Sequence, residues 1–384
     1  MGVSMSSDDL VRIRVVEDFR AGRLTRSNAA KRLSISERQL TRLAKKVRLS
    51  GPSAVCHGNR KRAPFNSAKP EVRFWYLDTY RRKYEGFNFR HALEMMALHE
   101  VAPHKVSYST FRSWCRSEGL GKVRRRRSSK ARISRDRSAN EGFMLQMDGS
   151  PHNWFGNEKA CLISMIDDAT SDVPSSMFFP TETTWGCLTV LAEVIREYGV
   201  PEMILTDQAG WSTGGTKRES FSQFARACEE LGITLVGTPS AESKGRVERL
   251  NRTMQDRLVP ELKLYGIIAM IDANRYLKQV FLPRWRETLT VLPVSKEKSY
   301  TKLSPTIDIK DVLCYKFKRI VNRGHQISFN NRTYRLEPKN HGNLWKKQIV
   351  IHQYEDETFA CFYNERKIEY TLVMASPRNI GRFA

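Results

Sequence analysis

From residue 143 the spacing of apolar residues changes from that of helices to that of short strands, and the order of the elements from there to residue 258 leaves few folds open. FMLQMDG, ACLISMIDDA and SSMFFPT read as three strands in succession. TWGCLTVLAEVIREYG then reads as an amphipathic helix stopped by Gly199, and PEMILTDQAG as a strand ending at Asp207. ESFSQFARACEELG is a helix stopped by Gly232, and ITLVGTPS is a strand. SKGRVERLNRTMQDRL closes the series as a helix, because Val247, Leu250, Met254 and Leu258 fall on one face. Three consecutive strands favour antiparallel hairpins, whereas strand–helix–strand units favour parallel pairing. Residues 141–290 are therefore expected to form an α/β core, a mixed sheet with helices on both faces.

That arrangement is the ribonuclease H one, and here it carries acids. The first strand is expected to end at Asp148 and a later one at Asp207, while Glu248 sits on the closing helix. Taken singly, each acid has an ordinary reading. Asp148 is a turn residue before Gly149, Asp207 a strand-end or capping residue, and Glu248 an ion-pair partner of Lys244 or Arg252 at four-residue spacing. Taken together, in this order of elements, the three can converge. Convergent carboxylates supply the hard oxygen ligands that Mg²⁺ (or Mn²⁺) demands, and two such ions suit phosphodiester chemistry. Lys244 or Arg246 is placed to hold a phosphate beside them. His152 reads equally as a site residue and as a packing residue.

Charge separates this core from its flanks. The chain carries a formal +24, and residues 1–140 hold 33 Lys and Arg against 12 Asp and Glu. Residues 141–290 hold 15 against 20, and residues 291–384 hold 17 against 9. A basic front and back around a slightly acidic middle implies nucleic-acid-binding ends. Residues 1–50 read as a helix-turn-helix domain. Leu10, Ile13, Val16 and Phe19 mark a first helix, Thr25 caps a second, Ser34 and Ile35 turn, and Ser36 with Gln39 forms a capping box for a third. Arg38, Gln39, Arg42, Lys45 and Lys46 would face outward there, and Gln and Arg can read adenine and guanine edges. The other reading is a three-helix bundle with a solvated basic face. Residues 51–69 read as a linker, and residues 70–120 as a second helical, helix-turn-helix-like unit exposing Thr110, Arg112 and Arg116. Residues 121–140 form a basic linker in which Arg124, Arg125, Arg126 and Arg127 suit a phosphate backbone.

After a linker at 291–311, residues 312–375 alternate apolar and polar in about five short runs, which suggests a small all-β, SH3-like barrel. Trp345, Lys346, Lys347 and Arg332 are its candidates for touching DNA or another protomer. The seven cysteines are scattered without metal-type spacing, so reduced thiols and a cytoplasmic, nucleoid-associated protein are expected. No apolar run approaches the length of a membrane span and no signal-peptide core opens the chain, so no membrane partner is expected.

MDGSPHNWF, LTDQAG and KGRVERLNRTMQDRLVPEL resemble the three motifs of DDE transposases with a retroviral-integrase-like core. Within that group the chain is most similar to bacterial insertion-sequence transposases of the ISNCY kind, where Asp-Gly-Ser-Pro-His carries the first acid and Gly-Arg-Val-Glu-Arg the last. AGRLTRSNAAKRLSISERQLTRL and VSYSTFRSWCRSEGLGKVRRRR resemble its two helix-turn-helix segments. The resemblance implies Asp148, Asp207 and Glu248 as the catalytic, metal-holding triad, with two Mg²⁺ or Mn²⁺ ions. It implies double-stranded DNA as partner, both the terminal inverted repeats of a mobile element and a target, bound by a dimer or larger homo-oligomer. The activity implied is metal-dependent strand cleavage followed by strand transfer. One departure is the loop between Asp207 and Glu248, which is longer than is usual in the family and rich in Gly and Ser. Two rivals are a DNA-binding regulator without catalysis and a nuclease of the same fold that cuts without joining.

Overall fold

Caps written into the sequence start the first three helices. Ser6 accepts from the Asp9 amide to open α1 (Ser7–Arg20), and Thr25 from the Asn28 amide to open α2 (Arg26–Arg32). Ser36 and Gln39 form the expected capping box of α3 (Glu37–Ser50). Ser34, at φ 50°, turns the chain between α2 and α3. Val16, Ala30, Leu40 and Val47 are buried where the three helices meet. The computed structural model describes residues 5–56, 67–121, 135–156, 158–206, 223–237, 245–337 and 341–375. These helices belong to one compact unit, ending at Val72, and the rest of the chain to a second.

The second unit begins within α4 (Pro70–Lys83) and continues through α5 (Phe89–His99) and α6 (Tyr108–Ser117). Tyr80, Phe89 and Phe111 meet edge to face between them. The chain then lays down β1 (Met144–Phe155), β2 (Glu158–Asp167), β3 (Ser175–Phe179), α7 (Thr184–Glu197), β4 (Met203–Thr206), α8 (Gln223–Glu230), β5 (Thr234–Gly237) and α9 (Gly245–Leu264). The sheet runs in the order β3-β2-β1-β4-β5. Its first three strands are antiparallel, and β4 and β5 join parallel to β1, as the order of elements predicts. Leu145 and Met147 on one face of β1 pack with α7 and α8, while Trp154 of β1 and Leu162 of β2, on the other face of the sheet, pack with Val247, Leu250 and Met254 of α9.

One strand corrects the sequence reading. β1 does not end at Asp148 but runs on to Phe155, with Asp148 opposite Ser164 and Pro151 opposite Cys161 of β2. Gly149 and Pro151 look like turn residues. Yet β4 pairs with β1 only at Met144, Leu145 and Gln146, so beyond that point β1 has a described partner on one side alone. Proline lacks an N–H and is tolerated at such an edge.

Beyond α9 come α10 (Met270–Tyr276), a π-helical turn (Leu277–Phe281), α11 (Leu282–Leu289) and α12 (Ile309–Val312). The stretch read as a linker is tied down, with Ser299 N donating to Glu141 O at 2.8 Å and Val200 and Thr301 exchanging backbone hydrogen bonds at 2.8 and 3.0 Å. Gly199 makes the latter pairing possible. Its φ is +110°, and a Cβ there would stand 2.6 Å from the Thr301 carbonyl oxygen. Gly199→Ala is expected to destabilise this unit by about 2 kcal/mol or more, lowering its melting temperature by roughly 5 °C. Thermal circular dichroism checks this, and an unchanged midpoint refutes it.

The chain ends in β6 (Tyr315–Ile320), β7 (Gln326–Phe329), β8 (Arg332–Glu337), β9 (Gln348–Gln353), β10 (Phe359–Tyr363) and β11 (Arg366–Ala375). They form an antiparallel sheet in the order β6-β9-β10-β11-β8-β7, a nearly closed barrel of six strands rather than five or so. Phe329, Leu336, Ile351 and Cys361 fill it. It is joined to the core by Tyr315 stacked on Trp185 at 4.1 Å and by Lys316 N donating to Gln223 Oε1 at 3.0 Å. All seven cysteines are free thiols. No helix among the described residues is long and apolar enough to cross a membrane.

Candidate active site

The site grows from the packing of α9 on β1. Side chains alternate along a strand, so Gln146, Asp148 and Ser150 share the face opposite Leu145 and Met147. That face meets α9, whose Val247, Leu250, Met254 and Leu258 are fully buried or nearly so. At the contact, Asn251 Nδ2 donates to Asp148 Oδ2 at 2.8 Å. Glu248 lies three residues before Asn251, in the first turn of α9. Residues three apart on a helix are neighbours, about 5–6 Å between Cβ atoms. The structure thus brings the strand carrying Asp148 and the helix carrying Glu248 together at these residues. Both acids are half-buried. The ordinary reading of Glu248 as a partner of Arg252 finds no support, since no ion pair joins them. Asp207 lies outside the described residues. β4 ends at Thr206, beside the part of β1 that leads into Asp148. Among the described residues no three His, Cys, Asp or Glu side chains form a metal-holding group.

A carboxylate that the sequence did not single out stands against Gly149, on the face of β1 opposite Asp148. A Cβ on Gly149 would come within 2.5 Å of the Glu182 carboxyl carbon, so only glycine leaves that carboxylate its place. Burial pushes the Cys161 thiol up to about 12, and the charges of Glu182 and Asp148 push in the same direction. The thiol stays protonated among Leu145, Met147 and Cys187, on the face of the sheet that α7 covers.

The most buried acids have another role. Asp167 accepts from the Gly142 amide at 2.8 Å and the Thr170 amide at 2.7 Å. Asp168, wholly buried, accepts from Ser138 N at 2.8 Å and Gln146 Nε2 at 2.7 Å. It also pairs with Arg246 at 2.9 Å and with Arg135. Arg246, expected to hold a phosphate, thus has its guanidinium against Asp168, with 16% of its side chain exposed. His152 is half-buried with its ring edge-on to Trp154.

The remaining expected contact residues are dispersed. Arg38, Gln39, Arg42, Lys45 and Lys46 are all exposed on α3 of the first unit. Gln39 Oε1 accepts from Ser36 N at 3.0 Å, which leaves its amide NH₂ as the outward group. On α6, Arg112 and Arg116 are exposed, and half-buried Thr110 shares a hydroxyl hydrogen bond with Ser107 at 2.9 Å. Arg124, Arg125, Arg126, Arg127 and Lys244 lie outside the described residues. Sequence reasoning missed Gln146, Asp168 and Asn251. The one signal for them is the run of polar residues at alternate positions 146, 148 and 150 of an otherwise apolar strand.

No protein-family model matches the chain. It is similar to the protein of Sinorhizobium fredii (strain NBRC 101917 / NGR234) named "Putative transposase y4bF", at 31% identity over 378 residues that cover 96% of this chain and 81% of that protein. It is also similar to the transposase for insertion sequence IS1202 of Streptococcus pneumoniae, at 29% identity over 364 residues covering 83% of this chain and 76% of that one. Among solved structures, the HTLV-2 integrase catalytic core domain in complex with magnesium (trimeric form) is 21% identical and covers 43% of this chain and 96% of its own, with a TM-score of 0.31. That likeness is too slight to carry weight.

Proposed function

This chain belongs to the transposases, and from that premise we propose that it binds the ends of a mobile element and cuts and joins DNA there with Asp148, Asp207 and Glu248. The observation that carries the reading is the hydrogen bond from Asn251 to Asp148, which sets the helix bearing Glu248 against the strand bearing the first acid. The strand order, three antiparallel and two parallel, supports a ribonuclease H-like core. The motifs favour the ISNCY kind of insertion-sequence transposase.

The donor set fits Mg²⁺ or Mn²⁺. Asp148 and Glu248 offer the carboxylate oxygens that such hard cations take. These two acids, with Asp207, would hold the ions. When bound, the ions supply Lewis-acid stabilisation of the charge that develops on a phosphodiester during displacement. Asn251 orients the Asp148 carboxylate through its amide. The exposed face of α3 enters a major groove in this reading, as a helix-turn-helix does, with Arg38 and Arg42 at base edges or phosphates. Thr110, Arg112, Arg116 and Arg124 to Arg127 would contact the backbone, and Lys244 would hold a phosphate. The terminal barrel is SH3-like, and Arg323 and Lys346 stand over its Trp345 ring at 5.2 and 4.8 Å from the centroid. Two ends must be joined, so the working form is a homo-oligomer on double-stranded DNA.

The test is incubation of the purified chain with labelled DNA carrying the element's ends, with and without Mg²⁺ or Mn²⁺. Metal-dependent products both shorter and longer than the substrate are expected. Binding without cleavage would make the chain a regulator, and cleavage without longer products would make it a nuclease.

A further inference from the structure

Helix α9 is laced to β1 by three hydrogen bonds in register. Val247 N donates to Gln146 Oε1 at 3.2 Å, Asn251 Nδ2 to Asp148 Oδ2 at 2.8 Å, and Gln255 Nε2 to Ser150 Oγ at 3.0 Å. The donors are four residues apart on the helix and the acceptors two apart on the strand. Four helical residues rise about 6 Å, and two strand residues about 6.6 Å. The two periods nearly match, so three rungs form before the mismatch exceeds what side chains absorb. The first rung is anchored a second time. Gln146, itself wholly buried, donates from its other side-chain atom to Asp168, which also pairs with Arg246. Glu248 therefore lies between the first rung and the second, with Arg246 and Val247 fixed just before it and Asn251 one turn after it.

We infer that Gln146 and Asn251 are positioning residues, which set the rotation and the sliding of α9 on β1 and so the place of the Glu248 carboxylate relative to Asp148. The inference rests on the reading of those two acids as holders of a divalent cation. A slip of the ladder by one rung would carry Glu248 some 6 Å along the strand, away from any position where both carboxylates reach one ion. A covalent fold alone does not prevent such a slip, because the apolar face of α9 repeats every turn. The polar rungs do, since each donor has one acceptor opposite it.

Groups that orient metal ligands change metal affinity by about 10–100-fold when removed, and this separates positioning from mere structural support. The experiment compares the full-length wild type with Asn251→Leu, Gln146→Met and a control, Asn274→Leu. Asn274 also clamps a helix to a strand, accepting from Phe178 N at 2.7 Å and donating to Phe178 O at 3.2 Å, on β3. Cleavage of labelled end DNA is followed against Mg²⁺ concentration, together with end binding and the melting temperature without metal. Asn251→Leu is expected to bind ends as wild type does and to need at least about tenfold more Mg²⁺ for half-maximal cleavage. Asn274→Leu is expected to melt lower with an unmoved Mg²⁺ midpoint. If Gln146→Met does not fold, Asn251→Leu still decides. A wild-type Mg²⁺ midpoint in Asn251→Leu overturns the inference alone. A wild type that shows no metal-dependent cleavage overturns the reading of the acids, and the inference with it.

Discussion

Glu248→Gln is expected to abolish strand cleavage and joining while leaving the binding of end DNA and the stability of the fold unchanged. The substitution keeps shape and removes one negative charge. Stability has little at stake, because Glu248 is half-buried and makes no ion pair with Arg252. A surface change of this kind costs within about 0.5 kcal/mol. Catalysis has much at stake. Charge stabilisation at a phosphodiester through a bound cation is worth several kcal/mol, and a loss of about 4 kcal/mol is roughly 10³-fold in rate. Labelled-end assays beside a melting curve separate the two. A variant that keeps its activity, or that fails to fold, would return Glu248 to the role of an ordinary surface residue.

That carboxylate was legible because it rides on a strongly patterned helix. Val247, Leu250, Met254 and Leu258 announce α9, and the local cap of Ser36 and Gln39 announces α3 in the same way. Signals of this sort are contained within a few residues. The extension of β1 was not legible, since Gly149 and Pro151 indicate a turn unless one knows that β4 covers only the beginning of the strand. Nor were the supports of the site. Gln146 meets Val247 across 101 positions of sequence and Asn251 meets Asp148 across 103, and no periodicity reports such pairings. The partner of Arg246 was equally hidden. As a cation beside an acid Arg246 suggested a phosphate ligand, and the fold gives it Asp168. Glu182 comes from a loop before α7 to the other face of β1, and only the closeness of its carboxylate to Gly149 reveals it.

Glu261→Ala is expected to be the most destabilising single change, by about 3–5 kcal/mol, with its effect fading in acid. Glu261 lies on α9 beyond Glu248, toward the end of the helix, and is 1% exposed. It meets His91 Nε2 of α5 at 2.6 Å, the Tyr276 hydroxyl of α10 and the Arg284 guanidinium of α11. Burial alone would raise its pKa, but the hydrogen bonds from His91 and Tyr276 and the charge of Arg284 outweigh it and bring the carboxyl below its ordinary value. Burial and the same carboxylate hold the Tyr276 phenol well above its ordinary value, so it remains a donor. Truncation to alanine leaves buried His91 Nε2 and the half-buried Arg284 guanidinium without their carboxylate, which is the costly outcome for such clusters. The sign of the pH dependence is set by the direction of the shift. A carboxylate whose folded pKa is depressed contributes stability that is present above its unfolded pKa and is lost as pH falls through the folded value. Urea midpoints of wild type and Glu261→Ala should therefore differ most at neutral pH and converge below the ordinary carboxylate range. A second substitution sharpens the argument. Joint replacement of Glu261 and Arg284 by methionine removes both charges together and should recover much of the loss, because what destabilises is the orphaned partner rather than the missing attraction. If the double variant is as unstable as the single one, the cluster holds α5 to α9 by attraction itself, and the desolvation account of this interface is wrong.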